Sequence, residues 1–199
     1  KNIIKGMNFA NNYGAKIFSF HAGLRFDPII SSLGKKQLVF DTLSLDESYA
    51  LLEKSLSTIV KSNLYKCTIC IENNVIENKN FNKSENRYVF SDLSDYKFIR
   101  RIIDKYNINI LLDVAHLKVT SKTHNFSPYE FIEKFKDKIL VTHLSENDGM
   151  TDQGNILTKD SWFWECLEWK NMEYISLEIK NCDMDTLKKQ INLVSSKVN

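Results

Sequence analysis

Five residues close hydrophobic runs and share the capacity to bind a divalent ion or move a proton: His21, Glu72, Asp113, His143 and Glu178. A lone Asp or Glu in such a place is usually a cap or a salt-bridge partner, and a lone His is usually structural. Five runs out of five ending this way carry more weight than any one of them. Carboxylate oxygens and imidazole nitrogens are hard-to-borderline donors. A Glu, Asp, His and Glu set therefore suits Mn²⁺, Mg²⁺, Co²⁺ or Zn²⁺ and not a thiolate-bound structural zinc.

Two local motifs add to the set. Asp113-Val-Ala-His116 places an imidazole one turn beyond a strand-end carboxylate, so both can face one pocket mouth. His143-Leu-Ser-Glu-Asn-Asp148-Gly follows a strand-end imidazole with an acidic loop. His124 reads as surface loop. Cys67-Thr-Ile-Cys70 has the spacing of a redox or metal pair, but in a β-rich run positions three apart point to opposite faces. Reduced core cysteines are the expectation there.

The elements that must position these residues repeat in order: β-branched run, polar loop, amphipathic helix. Strands are expected at 16–21, 67–72, 108–113, 138–143 and 174–179. Helices are expected at 1–13, 44–63, 95–106, 127–135, 161–169 and 185–198. Ser44-Leu-Asp-Glu47 and Ser127-Pro-Tyr-Glu130 read as capping boxes, and Gly14 as a helix stop. Residues 73–94 read as a long polar loop. Strict alternation implies parallel strands with right-handed crossovers, and ligands bind at the C-terminal ends of such strands. Parity agrees: Ser19 and Ile17 share a face with His21, Cys70 and Thr68 with Glu72, and Ser176 and Tyr174 with Glu178. The opposite faces are greasier, as a barrel interior below a polar site requires.

Composition narrows the classes. The chain has 199 residues, 43% of them hydrophobic and 26% charged, which is enough for one core. A net charge of +2 makes no electrostatic case for nucleic acid. No apolar run approaches the ~18–20 residues that span a bilayer, and a cytoplasmic location is expected. Trp162, Phe163, Trp164 and Trp169 read as a helix face packed on the core, as do Leu93, Phe98, Ile102 and Ile103. Lys35-Lys36 and Arg100-Arg101 read as solvated surface.

At these residues the sequence resembles the xylose isomerase-like TIM-barrel superfamily, which includes sugar-phosphate isomerases and epimerases and endonuclease IV-type enzymes. "CTICIENN" resembles the strand with the metal glutamate, and "ILLDVAH" the Asp-x-x-His strand. "VTHLSENDG" resembles the strand-end His with its Asn-Asp-Gly loop, and "ISLEIK" the last strand with its Glu. The resemblance implies an α/β fold, a TIM barrel covering the region of strands three to eight and incomplete at its N-terminus, in one domain over 1–199. It implies one divalent ion held by Glu72, Asp113, His143 and Glu178. Glu72 and Glu178 would serve as the acid/base pair. His21, His116 and Asp148 would contact substrate, with His21 able to bind a further ion.

The implied reaction is isomerisation or epimerisation of a sugar or sugar phosphate, by proton transfer next to a carbonyl through an enediolate whose charge the ion offsets. The alternatives are another metalloenzyme of this fold (a phosphodiesterase or other hydrolase, or an oxidative peptide-modifying enzyme) and a non-catalytic remnant used for binding. Endonuclease IV-type members carry Asp-x-His after the sixth strand. Asp152-Gln-Gly154 stands here, which favours the single-ion chemistry. The implied partners are a small sugar and, at open barrel edges, a homo-oligomer or a missing N-terminal segment. Neither nucleic acid nor a membrane is expected.

Overall fold

The computed structural model describes residues 2–26, 43–62, 66–82, 87–88 and 96–198. The sequence readings at Lys35, Lys36 and Leu93 fall outside them.

Five parallel strands make the central sheet: β1 (Ile17–His21), β2 (Thr68–Glu72), β5 (Asn109–Asp113), β6 (Ile139–Leu144) and β7 (Tyr174–Leu177), in spatial order β1-β2-β5-β6-β7. Every neighbour in the sheet is the next main strand in the chain; α-helices make the first three crossovers, and turns with a 3₁₀ segment make the one from β6 to β7. The arrangement is a half-barrel of the TIM type with β1 and β7 at its edges. Among the described residues six α-helices accompany it: α1 (Asn2–Asn12), α2 (Leu45–Ser62), α3 (Tyr96–Tyr106), α4 (Val114–His124), α5 (Pro128–Phe135) and α6 (Met184–Val198).

The core lies between the sheet and its helices. Ile69 and Ile71 of β2, Ile110 and Leu112 of β5, Ile139 of β6, and Leu52, Leu56 and Ile59 of α2 are buried in it. They pack with Ile99, Ile102 and Ile103 of α3 and Phe131 and Phe135 of α5. Burying one such side chain is worth about 1.5–3 kcal/mol. On the concave side Cys70, Leu111 and Val141 form a smaller buried cluster beneath the strand ends. This is the two-faced parity read from the sequence. Cys67, Cys70, Cys166 and Cys182 are free thiols, and burial pushes Cys70 up to about 12.

The cap at Ser44 forms as expected: its N–H donates to Glu47 Oε2 (2.7 Å) and its Oγ accepts from Glu47 N–H (3.2 Å). The one expected at Ser127 does not, because no side-chain bond closes it. Pro128 and the Ser127 carbonyl start α5 instead. Gly14 ends α1 with a φ of 67°.

Three elements depart from the sequence reading. α4 is an additional helix. It begins at Asp113 and ends at Asn125 in the left-handed conformation, and seven of its residues are buried. A helix buried nearly all round carries no amphipathic stripe to read. The helix expected over 161–169 is instead a series of turns, followed by a 3₁₀ turn at Trp169–Asn171. There the indoles divert the backbone: Trp164 Nε1 donates to Thr158 O (2.8 Å) and Trp169 Nε1 to Trp164 O (2.9 Å). Phe163 and Trp164 are core, as expected. The polar loop after β2 contains a 3₁₀ turn (Asn78–Asn80) and a short antiparallel pair, β3 (Phe81–Asn82) with β4 (Arg87–Tyr88).

Candidate metal centre

The register of the sheet brings the strand ends level. His21 pairs with Glu72 across β1 and β2, and Asp113 pairs with His143 across β5 and β6. Glu178 follows β7, and its N–H donates to Leu144 O (3.0 Å). Five polar side chains that lie far apart in sequence therefore rim one mouth.

The contacts are close. His143 Nδ1 lies 2.8 Å from Glu178 Oε1, 3.3 Å from Glu72 Oε1 and 4.0 Å from Asp113 Oδ2. His21 Nε2 lies 3.6 Å from Glu72 Oε2. His116 stands one turn into α4, with Nε2 3.7 Å from Asp113 Oδ2 and Nδ1 4.0 Å from Glu72 Oε1. Glu72 and Asp113 are buried.

These side chains fall into two groups with metal-binding geometry: His21, Glu72 and His116, and Glu72, Asp113 and His143. In each, one ligand atom per residue lies within 4.8 Å of the others. Glu72 belongs to both: its Oε2 lies toward His21, and its Oε1 toward His143 and His116. The resemblance implies one ion, gives His116 to the substrate, and leaves His21 to contact substrate or bind a further ion. The geometry adds a second position at those two imidazoles.

Electrostatics favour a cation here. Burial, with Glu178 and Glu72 nearby, pushes Asp113 up to about 6, although His116 pulls the other way. Burial opposes charge on His143, but the carboxylates of Glu178 and Glu72 outweigh it and raise the ring to about 10. Burial lowers His21. Contact with His143 lowers Glu178. His143 Nδ1 is buried amid three carboxylates yet makes no well-directed hydrogen bond. An ion between these oxygens and that nitrogen would satisfy all of them, so the donor set fits a divalent metal.

Asp148 lies differently. Its exposed carboxylate accepts from the N–H groups of Met150 (2.7 Å) and Thr151 (3.1 Å) and from Gln153 Nε2 (2.9 Å). Among the described residues no ion pair joins it to the cluster. His124 ends α4 and is half-buried, not loop surface.

Two residues near the cluster are not among the site residues expected from the sequence. Asp152 Oδ2 lies 3.9 Å from His116 Nε2, and Lys180 Nζ holds the same oxygen at 2.9 Å. The signal for Asp152 is the acidic loop after the strand-end His and the first position of the Asp-x-His motif, whose missing His turns attention to Asp148. Asn73 follows Glu72 directly and is bonded to Asp113 and His116. Nothing in its residue type announces this.

The half-barrel is similar to several solved structures, each covering 98% of this chain. The 3-keto-D-glucoside 4-epimerase YcjR of E. coli matches at a TM-score of 0.61 and 14% identity. A putative xylose isomerase of Rhodospirillum rubrum matches at 0.62 and 11%. A sugar phosphate isomerase/epimerase of Parabacteroides distasonis matches at 0.54 and 13%. The chain spans 68%, 66% and 62% of their respective lengths. At these identities the likeness establishes the xylose isomerase-like barrel fold. A search of curated proteins by sequence finds no match. The family described as RiPP precursor modification enzyme MbnB/TglH/ChrH matches residues 56–161, more than half of the chain, from the end of α2 through β2, β5 and β6. The sequence thus belongs to the MbnB/TglH/ChrH family of RiPP precursor modification enzymes.

Proposed function

We propose that this chain carries the metal centre of an enzyme that modifies a ribosomally made peptide precursor, with two divalent ions sharing Glu72. The observation that carries the reading is the pair of three-residue ligand groups with that glutamate in common. The family's description supplies the substrate class. Bound ions would act as Lewis acids, polarising an oxygen or sulfur of the peptide.

The chain's own groups do the rest. Glu72 would bridge the two positions. Asp113 and His143 would hold one ion, and His21 and His116 the other. Glu178 is half-exposed at the mouth beside His143. It is placed to take a proton from a substrate atom. Asp148 would orient substrate only through the loop it stabilises.

A second reading keeps the sugar isomerase or epimerase chemistry at a single ion held by Glu72, Asp113, His143 and Glu178. It is favoured by Glu72 and Glu178 reaching His143 Nδ1 together, at 3.3 and 2.8 Å. The two glutamates would then remove and return a proton next to a carbonyl.

Metal content by native mass spectrometry tests the centre. Two ions per chain are expected for the wild type, none for Glu72→Gln and one for His116→Ala. No ion after Mn²⁺, Fe²⁺ or Zn²⁺ loading would end both readings. Substrates then separate them. A mass change in a precursor peptide supports the first, and solvent deuterium entering a ketose next to its carbonyl supports the second.

A further inference from the structure

Asn73 occupies a position whose bonds reach both ligand groups. It is buried and follows Glu72 at the end of β2. Its Nδ2 donates to Asp113 O at 3.0 Å, and its Oδ1 accepts from Asp113 N–H at 2.9 Å. The amide thereby closes a two-bond clamp on the backbone of a neighbouring strand's ligand. Its own carbonyl lies 3.0 Å from His116 Nδ1. A carbonyl can only accept, so the ring carries its proton on Nδ1, and the Nε2 lone pair is left toward Asp113 and Asp152.

The next residues continue the pattern. Asn74 Nδ2 donates to Gly23 O, two residues beyond His21. Asn74 O accepts from Thr120 Oγ1 of α4 (3.1 Å). Glu77 Oε1 accepts from Asp152 N–H (2.8 Å). One short buried segment after β2 thus touches the stretches that carry His21, Asp113, His116 and Asp152.

We infer that Asn73 is the positioning residue of the centre. Its side chain fixes the distance between Glu72 and Asp113, and its carbonyl sets the tautomer and ring orientation of His116. The inference rests on the two-ion reading above. Residues that orient ligands in this way typically change metal affinity by about 10–100-fold when replaced. A residue that only stabilises the fold would lower the melting temperature and leave the affinity of the folded protein unchanged.

The test is titration of the folded protein with Zn²⁺, and with Co²⁺ read by its visible absorption, well below the melting midpoint. The proteins are wild type, Asn73→Ala, Asn73→Asp and Ile102→Val. Ile102 is buried in the core on α3, away from the strand ends that carry the ligand candidates. Ile102→Val is therefore the stability control and should bind as wild type. Asn73→Ala should weaken binding by about 10–100-fold and alter the Co²⁺ spectrum. Should that variant fail to fold, Asn73→Asp carries the test. Asp keeps the shape and the acceptor but sets a carboxylate oxygen against Asp113 O. Its added negative charge alone would tighten cation binding, so a loss of affinity identifies the geometric role. Wild-type or tighter binding in the folded Asn73 variants overturns the inference while leaving the two-ion reading intact. A wild type that binds no metal defeats the reading beneath it.

Discussion

Asp113 Oδ1 accepts the backbone N–H of His116 at 2.8 Å, while its Oδ2 lies 3.7 Å from the same residue's Nε2. One carboxylate both starts α4 and faces the imidazole that the helix presents. The two duties separate by substitution. Asparagine caps as well as aspartate, whereas alanine loses about 1 kcal/mol of capping. Asp113→Asn should therefore melt at or above the wild-type temperature in metal-free protein at pH 7, because it removes a buried charge whose carboxyl is pushed up to about 6. Asp113→Ala should melt lower. Both should lose the ion shared with Glu72 and His143. Thermal scans with and without metal check this, and a metal-free Asp113→Asn that melts well below wild type would count against it.

Metal affinity should rise with pH. His143 in the metal-free protein holds its proton up to about pH 10, and that proton must leave before Nδ1 can donate. Asp113 has already released its proton above about 6. Between these limits one proton leaves per ion bound at His143, so the affinity should climb about tenfold per pH unit. Competition titrations at several pH values from roughly 6.5 to 8.5 measure the slope. A flat profile would mean that the imidazole is not a ligand.

The acid side is governed elsewhere. Glu53 of α2 meets Arg101 and Lys105 of α3, with contacts at 2.9 and 2.7 Å, and their hydrogen bonds lower its carboxyl to about 2. A depressed carboxyl contributes stability above its unfolded value, near 4.5, and loses it as pH falls toward 2. Glu53→Gln should melt slightly lower than wild type at pH 7, and the gap should close near pH 2–3. Arg101 and Lys105 are exposed, so the effect is small and shrinks in high salt. Equal melting curves at pH 7 in low salt would remove Glu53 from the account.

Gly154 links the loop after β6 to the strand end that bears Glu178. Its φ is 64°, and its carbonyl accepts from Lys180 N–H at 2.8 Å. An added Cβ would lie 3.0 Å from Glu178 O and 2.7 Å from the Lys180 side chain. Gly154→Ala should cost about 1–2 kcal/mol for the left-handed backbone. It should also displace Glu178 and Asp152, lowering metal occupancy more than an equally destabilising core change such as Ile102→Val. Melting and metal content measured on both variants decide the matter.

The strand ends were legible because one face of each strand is apolar and the terminal side chain is not. That contrast survives in a single sequence for His21, Glu72, Asp113, His143 and Glu178. Helices with a solvent face, such as α2 and α3, were legible for the same reason. α4 was not, since burial on all sides erases periodicity. The region after Thr158 misled in the opposite direction: its aromatic spacing suits a helix, but the indole N–H groups of Trp164 and Trp169 find carbonyl partners that only tertiary packing supplies. The second ligand group was only half legible: the resemblance left His21 able to bind a further ion, but His116 joins His21 and Glu72 across separate elements, a proximity no local motif encodes. Asn73 was hidden because an amide beside a glutamate has no distinguishing pattern until Asp113 is brought against it.

The ligand candidates come from the ends of all five strands of the sheet. An ion at this mouth would therefore act as a cross-link between segments that are remote along the chain, closing loops whose entropy the unfolded chain would otherwise regain. Binding of this kind stabilises in proportion to the logarithm of free metal over its dissociation constant. Chelation would then loosen the whole half-barrel and not just its rim, and the apparent melting temperature of the protein would become a readout of metal supply.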